Sequence, residues 1–422
     1  MAPHNGLTHL KEYDIKDSNV ELIGSDIDHR VKYASAATEP AWNNGVVGAR
    51  EGLFVWRIED FQVVPIRSSD VGVFYDGDSY IVLNSYKVGR DADKLGHEIF
   101  FWLGAHTSQD EAGTAAYKTV ELDEFLKGSA TQHRELQASP SSAFLELFPR
   151  RITIRRGGVA TGFTHVDETV EESRATQKQP LLLLRVFKQP GARTDGGIVV
   201  HEVPAQSSSL DDGDVFVLDS GNTNHTVYVW QGRRCQPMEK LKAAEVAQDL
   251  ITPAHTGGVQ VLAQDEGRSG IVARLLDEAA GKVDASEGAP ASYASARPVA
   301  STRHAAQSSG NTGRPQKLWR LSDASGSLSF DLIQEGMASL NNFDSNDVFL
   351  WDDAGRDVWV WEGRGASATE RSQWLQVAQA YVRHLAGSGG DSYGSAYLTP
   401  VAKVRDGYES PAFLQSLQTS VY

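Results

Sequence analysis

Short apolar runs recur along the chain, and each begins with a small or polar residue followed by aspartate. The runs cover residues 77–83 (Gly-Asp-Ser-Tyr-Ile-Val-Leu), 213–218 (Gly-Asp-Val-Phe-Val-Leu) and 346–351 (Asn-Asp-Val-Phe-Leu-Trp). They start 136 and then 133 residues apart. Self-similarity at a nearly fixed period indicates copies of one structural unit, so the sequence predicts three repeats.

Each run is followed by a second apolar segment that ends in Trp-x-Gly, with a glutamate nine residues after the tryptophan. The glutamates are Glu111, Glu239 and Glu370. Apolar residues then follow at helical spacing, clearest in 243–251 and 374–382. Opening strands are predicted at 53–58, 181–187 and 317–322. Each repeat is therefore predicted to be an α+β domain, a sheet with a long helix packed on it.

The predicted domain organisation follows from these repeats and from composition. We expect an N-terminal arm (1–50), domain 1 (51–168), domain 2 (169–280), a flexible linker (281–316) and domain 3 (317–422). The linker is rich in Ala, Ser, Gly, Pro and Arg and has almost no large apolar residues, so it cannot form a core.

Charge and cysteine content exclude several classes of protein. The 422 residues carry a formal net charge of −15, which argues against nucleic acid as a partner. Cys235 is the single cysteine, so no intramolecular disulfide can form and a reducing, cytoplasmic location is expected. The longest strongly apolar run is far shorter than a transmembrane segment, and no enzyme motif is present, so we expect no catalysis.

The recurring carboxylates suggest a cation site. A Gly-Asp step before a strand and a glutamate in the first turn of the next helix supply one backbone carbonyl and two carboxylates, which are oxygen ligands that calcium prefers. Alternatively, the aspartate caps a turn and the glutamate serves the helix N-terminus, where negative charge is favoured. The fixed offset in three copies favours the cation site, although a structural repeat would also preserve this spacing.

The sequence also resembles a known family. The segment Trp102-Leu103-Gly104, followed by Ser108-Gln109-Asp110-Glu111-Ala112-Gly113-Thr114-Ala115-Ala116, resembles the first domain of gelsolin family proteins. Over essentially its whole length, the chain resembles the three-domain members of the fragmin and severin type. The resemblance implies three gelsolin-like (ADF/cofilin-like) domains, each a central mixed β-sheet flanked by one long and one shorter helix.

The resemblance implies Ca²⁺ as the cofactor and assigns ligands in each domain. The implied calcium ligands are Gly77, Asp78, Glu111 and the carbonyl of Val159 in domain 1, Gly213, Asp214 and Glu239 in domain 2, and Asn346, Asp347 and Glu370 in domain 3. A further calcium shared with actin maps onto Asp123, Gly128 and Ala130.

The resemblance also implies two macromolecular surfaces. One face of the first-domain helix would enter the barbed-end cleft of actin; it is formed by Tyr117, Val120, Glu121 and Glu124. The spacing of these residues alone, without the resemblance, favours an ordinary helix face exposed to solvent. A set of basic residues would bind phosphoinositide head groups or the side of the actin filament. The set consists of Arg150, Arg151, Arg155, Arg156, Arg185, Lys188 and Arg193. A charged strand edge exposed to solvent is the alternative for this set.

The implied function is calcium-dependent severing and barbed-end capping of actin filaments, with possible nucleation and modulation by phosphoinositides. The expected partners are monomeric and filamentous actin, and the expected location is the cytoplasmic cytoskeleton, with the free protein a monomer. Two alternatives remain open: an actin capping or bundling protein without severing, and a calcium-regulated phosphoinositide-binding scaffold.

Overall fold

The structure is a computed structural model that describes most of the chain between residues 36 and 418. The ranges are 36–88, 94–159, 181–189, 192, 197–221, 226–251, 256–280, 315–388 and 399–418. Of the linker predicted at 281–316, only residues 315 and 316 are described. Arg193, which is predicted to bind phosphate, lies outside the described residues.

Within the described residues, the first repeat contains seven strands and two helices. They are β1 (Gly52–Glu59), β2 (Gln62–Pro65), β3 (Val73–Tyr75), β4 (Ser79–Lys87), β5 (Leu95–Leu103), α1 (Gln109–Phe125), β6 (Ala130–Leu136), α2 (Ser142–Glu146) and β7 (Ile152–Arg155). Repeat 2 contains β8 (Leu182–Lys188), β9 (Ile198–Val203), β10 (Val215–Asp219), β11 (Thr226–Gln231), α3 (Pro237–Leu250), β12 (Gly258–Ala263) and α4 (Gly270–Ala280). Repeat 3 contains β13 (Lys317–Ser322), β14 (Ser329–Glu335), β15 (Val348–Asp352), β16 (Val358–Glu362), α5 (Ala368–Ser388), β17 (Val401–Arg405) and α6 (Pro411–Gln418).

The three repeats share one sheet topology. Their five central strands have the orders β2-β1-β4-β5-β6, β9-β8-β10-β11-β12 and β14-β13-β15-β16-β17. The repeated apolar runs form antiparallel hairpins, such as β4 with β5. The strand after the long helix returns parallel, as β6 does to β5. The predicted α+β fold, with mixed sheets and one long and one shorter helix per repeat, is confirmed.

Both faces of each central sheet are covered by helices, which explains the apolar runs. In repeat 2, Val215 and Val217 pack under the long helix α3. Their neighbours Phe216 and Leu218 pack with residues of the shorter helix α4 on the opposite face. A strand buried on both faces has apolar residues at consecutive positions instead of alternate ones.

Strand pairing continues between repeats. Strand β6 of repeat 1 pairs antiparallel with β17 of repeat 3, and the two sheets become one of ten strands. Strand β7 pairs with β9, so that β7 and β3 join the sheet of repeat 2. Repeat 1 is therefore bonded through its backbone to both other repeats.

The described end of the N-terminal arm packs into the core of repeat 1. Trp42 is fully buried, meets Trp56 edge-on at 6.2 Å, and donates its indole N–H to the carbonyl of Ala36 at 2.9 Å. Val47 belongs to the same core. Residues 36–50 thus contribute to the stability of this repeat.

None of the helices in the described part of the chain is long and apolar enough to cross a membrane.

Candidate functional site

The glycine of each Trp-x-Gly segment lies against the aspartate that opens the apolar run. The amides of Gly104, Gly232 and Gly363 donate to the carbonyls of Asp78, Asp214 and Asp347 at 3.0, 3.0 and 3.1 Å. A Cβ on Gly232 would lie 2.6 Å from two backbone carbonyl oxygens, and Gly104 and Gly363 are equally constrained. Only glycine permits this approach, so the Trp-x-Gly signature holds the aspartate at the end of the hairpin.

The repeated glutamates lie in the first turns of the long helices. Glu239 and Glu370 each accept from the backbone N–H of the residue before the helix, Gln236 at 2.7 Å and Ser367 at 2.9 Å. This is the capping-box arrangement, in which a side chain satisfies an amide at the helix N-terminus. The capping alternative from the sequence is thus a genuine part of the structure in repeats 2 and 3.

The second oxygen of these two glutamates is also occupied. Glu239 accepts from the amide of Lys188 at 2.9 Å, and Glu370 accepts from the amide of Asp323 at 2.8 Å. Both amides lie at the end of the opening strand of the repeat. Each glutamate therefore ties its helix to its sheet.

Repeat 1 differs at this point. Glu111 Oε2 accepts from the Thr107 hydroxyl at 3.0 Å, whereas Glu111 Oε1 is buried and has no hydrogen-bond partner. A buried carboxylate oxygen without a donor is energetically unfavourable unless a cation or water satisfies it. Glu111 is thus the glutamate with free ligating capacity.

Asp78 and Glu111 are both buried and interact electrostatically. Asp78 is fully buried, and burial, with a contribution from the negative charge of Glu111, raises the pKa of Asp78 to about 7. In repeat 2, burial raises the pKa of Glu239, with Asp214 contributing. In repeat 3, the pKa of Glu370 is raised by burial, with contributions from Asp323 and Asp347. Each repeat therefore holds two carboxylates close enough to repel one another.

A backbone segment closes over the carboxylate of repeat 1. Gly77 donates to the carbonyl of Gly157 at 2.8 Å, and the amide of Val159 donates to Asp78 Oδ1 at 2.8 Å. A Cβ on Gly158 would overlap that same carboxylate oxygen. The segment 157–159 thus lies directly beside Asp78. The contact found is made by the N–H of Val159, whereas the ligand predicted from the sequence is the carbonyl of this residue.

These residues fit a calcium ion, although they do not form a cluster of many charged ligands. Among the described residues, no group of three or more His, Cys, Asp or Glu side chains could hold a metal. Each candidate site would combine two carboxylates with backbone carbonyls, an all-oxygen set suited to calcium. The orphaned Glu111 oxygen makes repeat 1 the best prepared of the three.

An arginine faces the aspartate in every repeat, a contact that the sequence motifs do not indicate; of the three arginines, Arg185 is expected from the sequence only in the phosphate-binding set. Arg57, Arg185 and Arg320 lie in the opening strands and pair in register with the residues two positions after Asp78, Asp214 and Asp347. The closest nitrogen–oxygen distances between arginine and aspartate are 3.5, 2.7 and 4.0 Å. The signal in the sequence is a single arginine inside an otherwise apolar strand.

The residues assigned to the actin-shared calcium lie where repeats 1 and 3 meet. Asp123 accepts from the amide of Ala130 at 2.9 Å, and burial raises its pKa to about 6. Arg405 of β17 lies 3.5 Å from the Gly128 carbonyl. The three predicted residues are therefore together, with a cation from repeat 3 beside them.

The predicted actin-facing residues are on α1 but differ in exposure. Tyr117 is 48% exposed, and Val120 and Glu124 are partly exposed. Glu121 is fully buried and forms an ion pair with Lys118 at 2.6 Å. Of the predicted actin-facing residues, Tyr117, Val120 and Glu124 therefore lie on the solvent-accessible side of the helix.

The predicted phosphate-binding set is divided by the fold. Arg150 and Arg151 lie 3.6 and 2.5 Å from Asp249 of α3, and Arg155 lies 2.8 Å from Glu202. The remaining described members are Arg156 and Lys188, both partly exposed, and Arg185, which is 4% exposed. Because Arg185 is enclosed and paired with Asp214, its position does not suit contact with a surface ligand.

The fold and its site define a protein of three α+β repeats, each with a pair of carboxylates between a hairpin and the N-terminus of a long helix. A family model described as "Gelsolin repeat" matches residues 60–145 and 196–270. "Gelsolin-like protein 1" of Lumbricus terrestris is 37% identical over 377 residues, which are 89% of this chain and 92% of that protein.

Two further relatives match over comparable lengths. "Severin" of Echinococcus granulosus is 33% identical, covering 90% of this chain and 92% of that protein. "Actin depolymerising venom protein gelsolin 1" of Platymeris rhadamanthus is 32% identical, covering 87% and 88%. The chain belongs to the gelsolin family, as its sequence motifs predict.

Proposed function

We propose that this protein severs actin filaments and caps their barbed ends under the control of calcium. The observation that carries the proposal is the buried carboxylate pair found in all three repeats, with an unsatisfied oxygen on Glu111. Relatives whose names denote severing or actin depolymerisation match almost the whole chain and support the actin assignment. We place this activity in the cytoplasmic cytoskeleton.

Asp78 and Glu111 would hold the ion in repeat 1, together with the carbonyls of Gly77 and Val159. Asp214 and Glu239 with Gly213, and Asp347 and Glu370 with Asn346, would do so in the other repeats. A bound calcium supplies two positive charges, which would offset the repulsion between the carboxylates of each pair.

Actin would bind the solvent-accessible side of α1 that carries Tyr117, Val120 and Glu124. In the closed arrangement, Arg405 lies beside Gly128, one of the residues proposed to share calcium with actin. Separation of β17 from β6 would uncover this region. Calcium can drive that opening only to the extent that it binds the open state more tightly than the closed state.

The proposed domains are those expected from the repeats, 51–168, 169–280 and 317–422, joined by the linker 281–316. Because the backbone pairing β6–β17 and β7–β9 crosses these limits, the domains would act as separate bodies only after those pairs open.

Severing can be tested by fluorescence microscopy of single surface-attached filaments, with calcium or with chelator. We expect cuts and blocked barbed-end growth in calcium, and far fewer events in chelator. The variant Asp78→Asn/Glu111→Gln should need more calcium, while Glu266→Gln on an exposed turn should behave as wild type.

The outcome of the same assay separates the alternatives. Blocked growth without cuts in calcium would favour a capping protein, and parallel filament association would favour a bundling protein. No effect on filaments would contradict the actin function and leave the scaffold hypothesis.

Phosphoinositide binding is a second proposed property, supported by the basic residues around β7. Arg150 is 72% exposed, and Asp249 balances Arg150 and Arg151 only in part. Vesicles containing a phosphoinositide should therefore bind wild type more tightly than a variant with glutamine at Arg150, Arg151, Arg155 and Arg156. Since exposed charges are screened over about 8 Å at physiological salt, the difference should shrink as salt rises. Equal binding at low salt would favour simple strand protection.

A further inference from the structure

The arginines opposite the three aspartates engage them to very different extents. In repeat 2, both Nε and Nη2 of Arg185 lie 2.7 Å from Asp214 Oδ2. In repeat 3, Arg320 lies 4.0 Å from Asp347, and the arginine side chain is 42% exposed. The same register position therefore provides a tight ion pair in one repeat and a loose contact in another.

In repeat 1, the distance between arginine and aspartate is intermediate because the arginine has another partner. Arg57 Nε donates to Glu59 Oε1 at 2.7 Å, whereas its closest approach to Asp78 is 3.5 Å. Asp78 is thus only partly compensated by Arg57. Because Glu111 Oε1 has no hydrogen-bond partner, further negative charge in this repeat is uncompensated.

Burial makes the pair in repeat 2 hard to separate. Arg185 is 4% exposed, Asp214 is fully buried, and the guanidinium lies 4.3 Å from the centre of the Phe187 ring. Removing one partner from a buried ion pair leaves an uncompensated charge, which is strongly unfavourable. Any other cation that binds Asp214 must therefore take over the role of Arg185.

We propose that Arg185 is an internal competitor that holds Asp214 in place of calcium, so that repeat 2 binds calcium more weakly than repeat 1. This inference rests on the proposed function, because it assumes that Asp214 and Glu239 form a calcium site. In repeat 2, both oxygens of Glu239 also accept from backbone amides, so calcium has to compete with an arginine and with those amides for the two carboxylates. Repeat 1 presents a free carboxylate oxygen and a more distant arginine.

The test is calorimetric titration of the full chain with calcium at pH 8, comparing wild type with Arg185→Gln. Close charge pairs have large coupling energies, so we expect calcium binding at repeat 2 to tighten by about tenfold or more. In chelator, Arg185→Gln should melt at a lower temperature than wild type, and calcium should raise its melting temperature by more. An unchanged or weaker affinity in Arg185→Gln would overturn the proposal.

Two companion variants make the result specific. Arg320→Gln removes the arginine at the same register position, and its loose, exposed contact predicts less than about threefold change. Arg185→Lys keeps one positive charge but loses the two-nitrogen contact with the carboxylate. Should Arg185→Gln fail to fold in chelator, Arg185→Lys should still bind calcium more tightly than wild type, and no gain would overturn the proposal.

Asp214→Asn separates this inference from the function on which it rests. If Asp214→Asn removes one calcium and Arg185→Gln behaves as wild type, the competitor role is wrong and the site stands. If Asp214→Asn removes no calcium, repeat 2 has no such site, and both the site assignment and the competitor role are wrong.

Discussion

Glu135 offers a test of how the junction between repeats 1 and 3 responds to pH. Its side chain is fully buried on β6 and accepts from the Ser141 hydroxyl at 2.6 Å and the Ser141 amide at 2.7 Å. It lines a small cavity together with Trp359 and Ala402 of repeat 3. Burial, with a contribution from the negative charge of Asp357, raises the pKa of Glu135 from 4.5 to about 8.

The sign of the effect follows from where the proton is bound. Between pH 4.5 and about 8, Glu135 keeps its proton in the folded state and loses it in the unfolded state. The folded state therefore binds more protons, and its stability falls as pH rises through this window. At about 1.4 kcal/mol per pH unit, the loss is about 5 kcal/mol across the window, of which about 3 kcal/mol has occurred by pH 7.

Glu135→Gln should remove this loss, because a glutamine can accept from the Ser141 amide and donate to its hydroxyl. We expect the variant to match wild type near pH 4.5 and to exceed it by about 3 kcal/mol at pH 7. Thermal unfolding in chelator from pH 5 to 9 measures the difference, with exposed Glu266→Gln as the control. A stability difference that does not vary with pH would refute the reasoning.

The variant should also change the calcium response. Because Glu135 lies beside β17, stabilising its buried neutral state favours the closed junction. At pH 8, Glu135→Gln should therefore need more calcium than wild type for half-maximal severing. A calcium requirement equal to that of wild type would show that the junction does not control activity.

Further predictions concern the arm, the candidate site and the opened form. Trp42→Ala should cost about 3–5 kcal/mol in thermal or urea unfolding, because it empties a fully buried site; a near-neutral effect would contradict a structural role for the arm. Gly158→Ala should weaken calcium binding in calorimetry, because its Cβ would overlap the Asp78 carboxylate. The control Gly113→Ala, on the open face of α1, should stabilise the folded protein by up to about 1 kcal/mol. Equal calcium affinity in both variants would argue against the site. Small-angle scattering should give a larger radius of gyration in calcium than in chelator, and superimposable profiles would rule out domain rearrangement.

The elements that the sequence predicts well are those whose signal is local. The opening strand predicted at 317–322 is found at those positions, and the one predicted at 53–58 is extended by one residue at each end. The fixed glutamate position also has a local cause, since Glu239 and Glu370 cap the helices that they begin. Such features depend on residues within a few positions of one another.

Pairings between distant segments were not predictable from the sequence. Strand β14 has exposed or partly exposed positions along its length, so it lacks the apolar run that identifies β15. The pairing of β6 with β17 joins residues more than 260 positions apart. No local pattern specifies such a partner, because either strand could end a sheet on its own.

The candidate sites show why a repeated motif does not imply equal chemistry. Aspartate, glycine and glutamate recur at the same positions, and the Gly–Asp backbone bond differs by only 0.1 Å among the repeats. The hydrogen bonding of the glutamate differs in repeat 1, where one oxygen of Glu111 has no partner. The distance of the arginine from the aspartate differs as well, because Arg57 is bonded to Glu59 whereas Arg185 is buried against Asp214. The arginines lie in the opening strand of each repeat, whereas the aspartates precede a later strand. The chain segment between arginine and aspartate also varies in length among the repeats. The motif therefore places the carboxylates, whereas the packing of the opening strand decides how much of their charge remains for an ion.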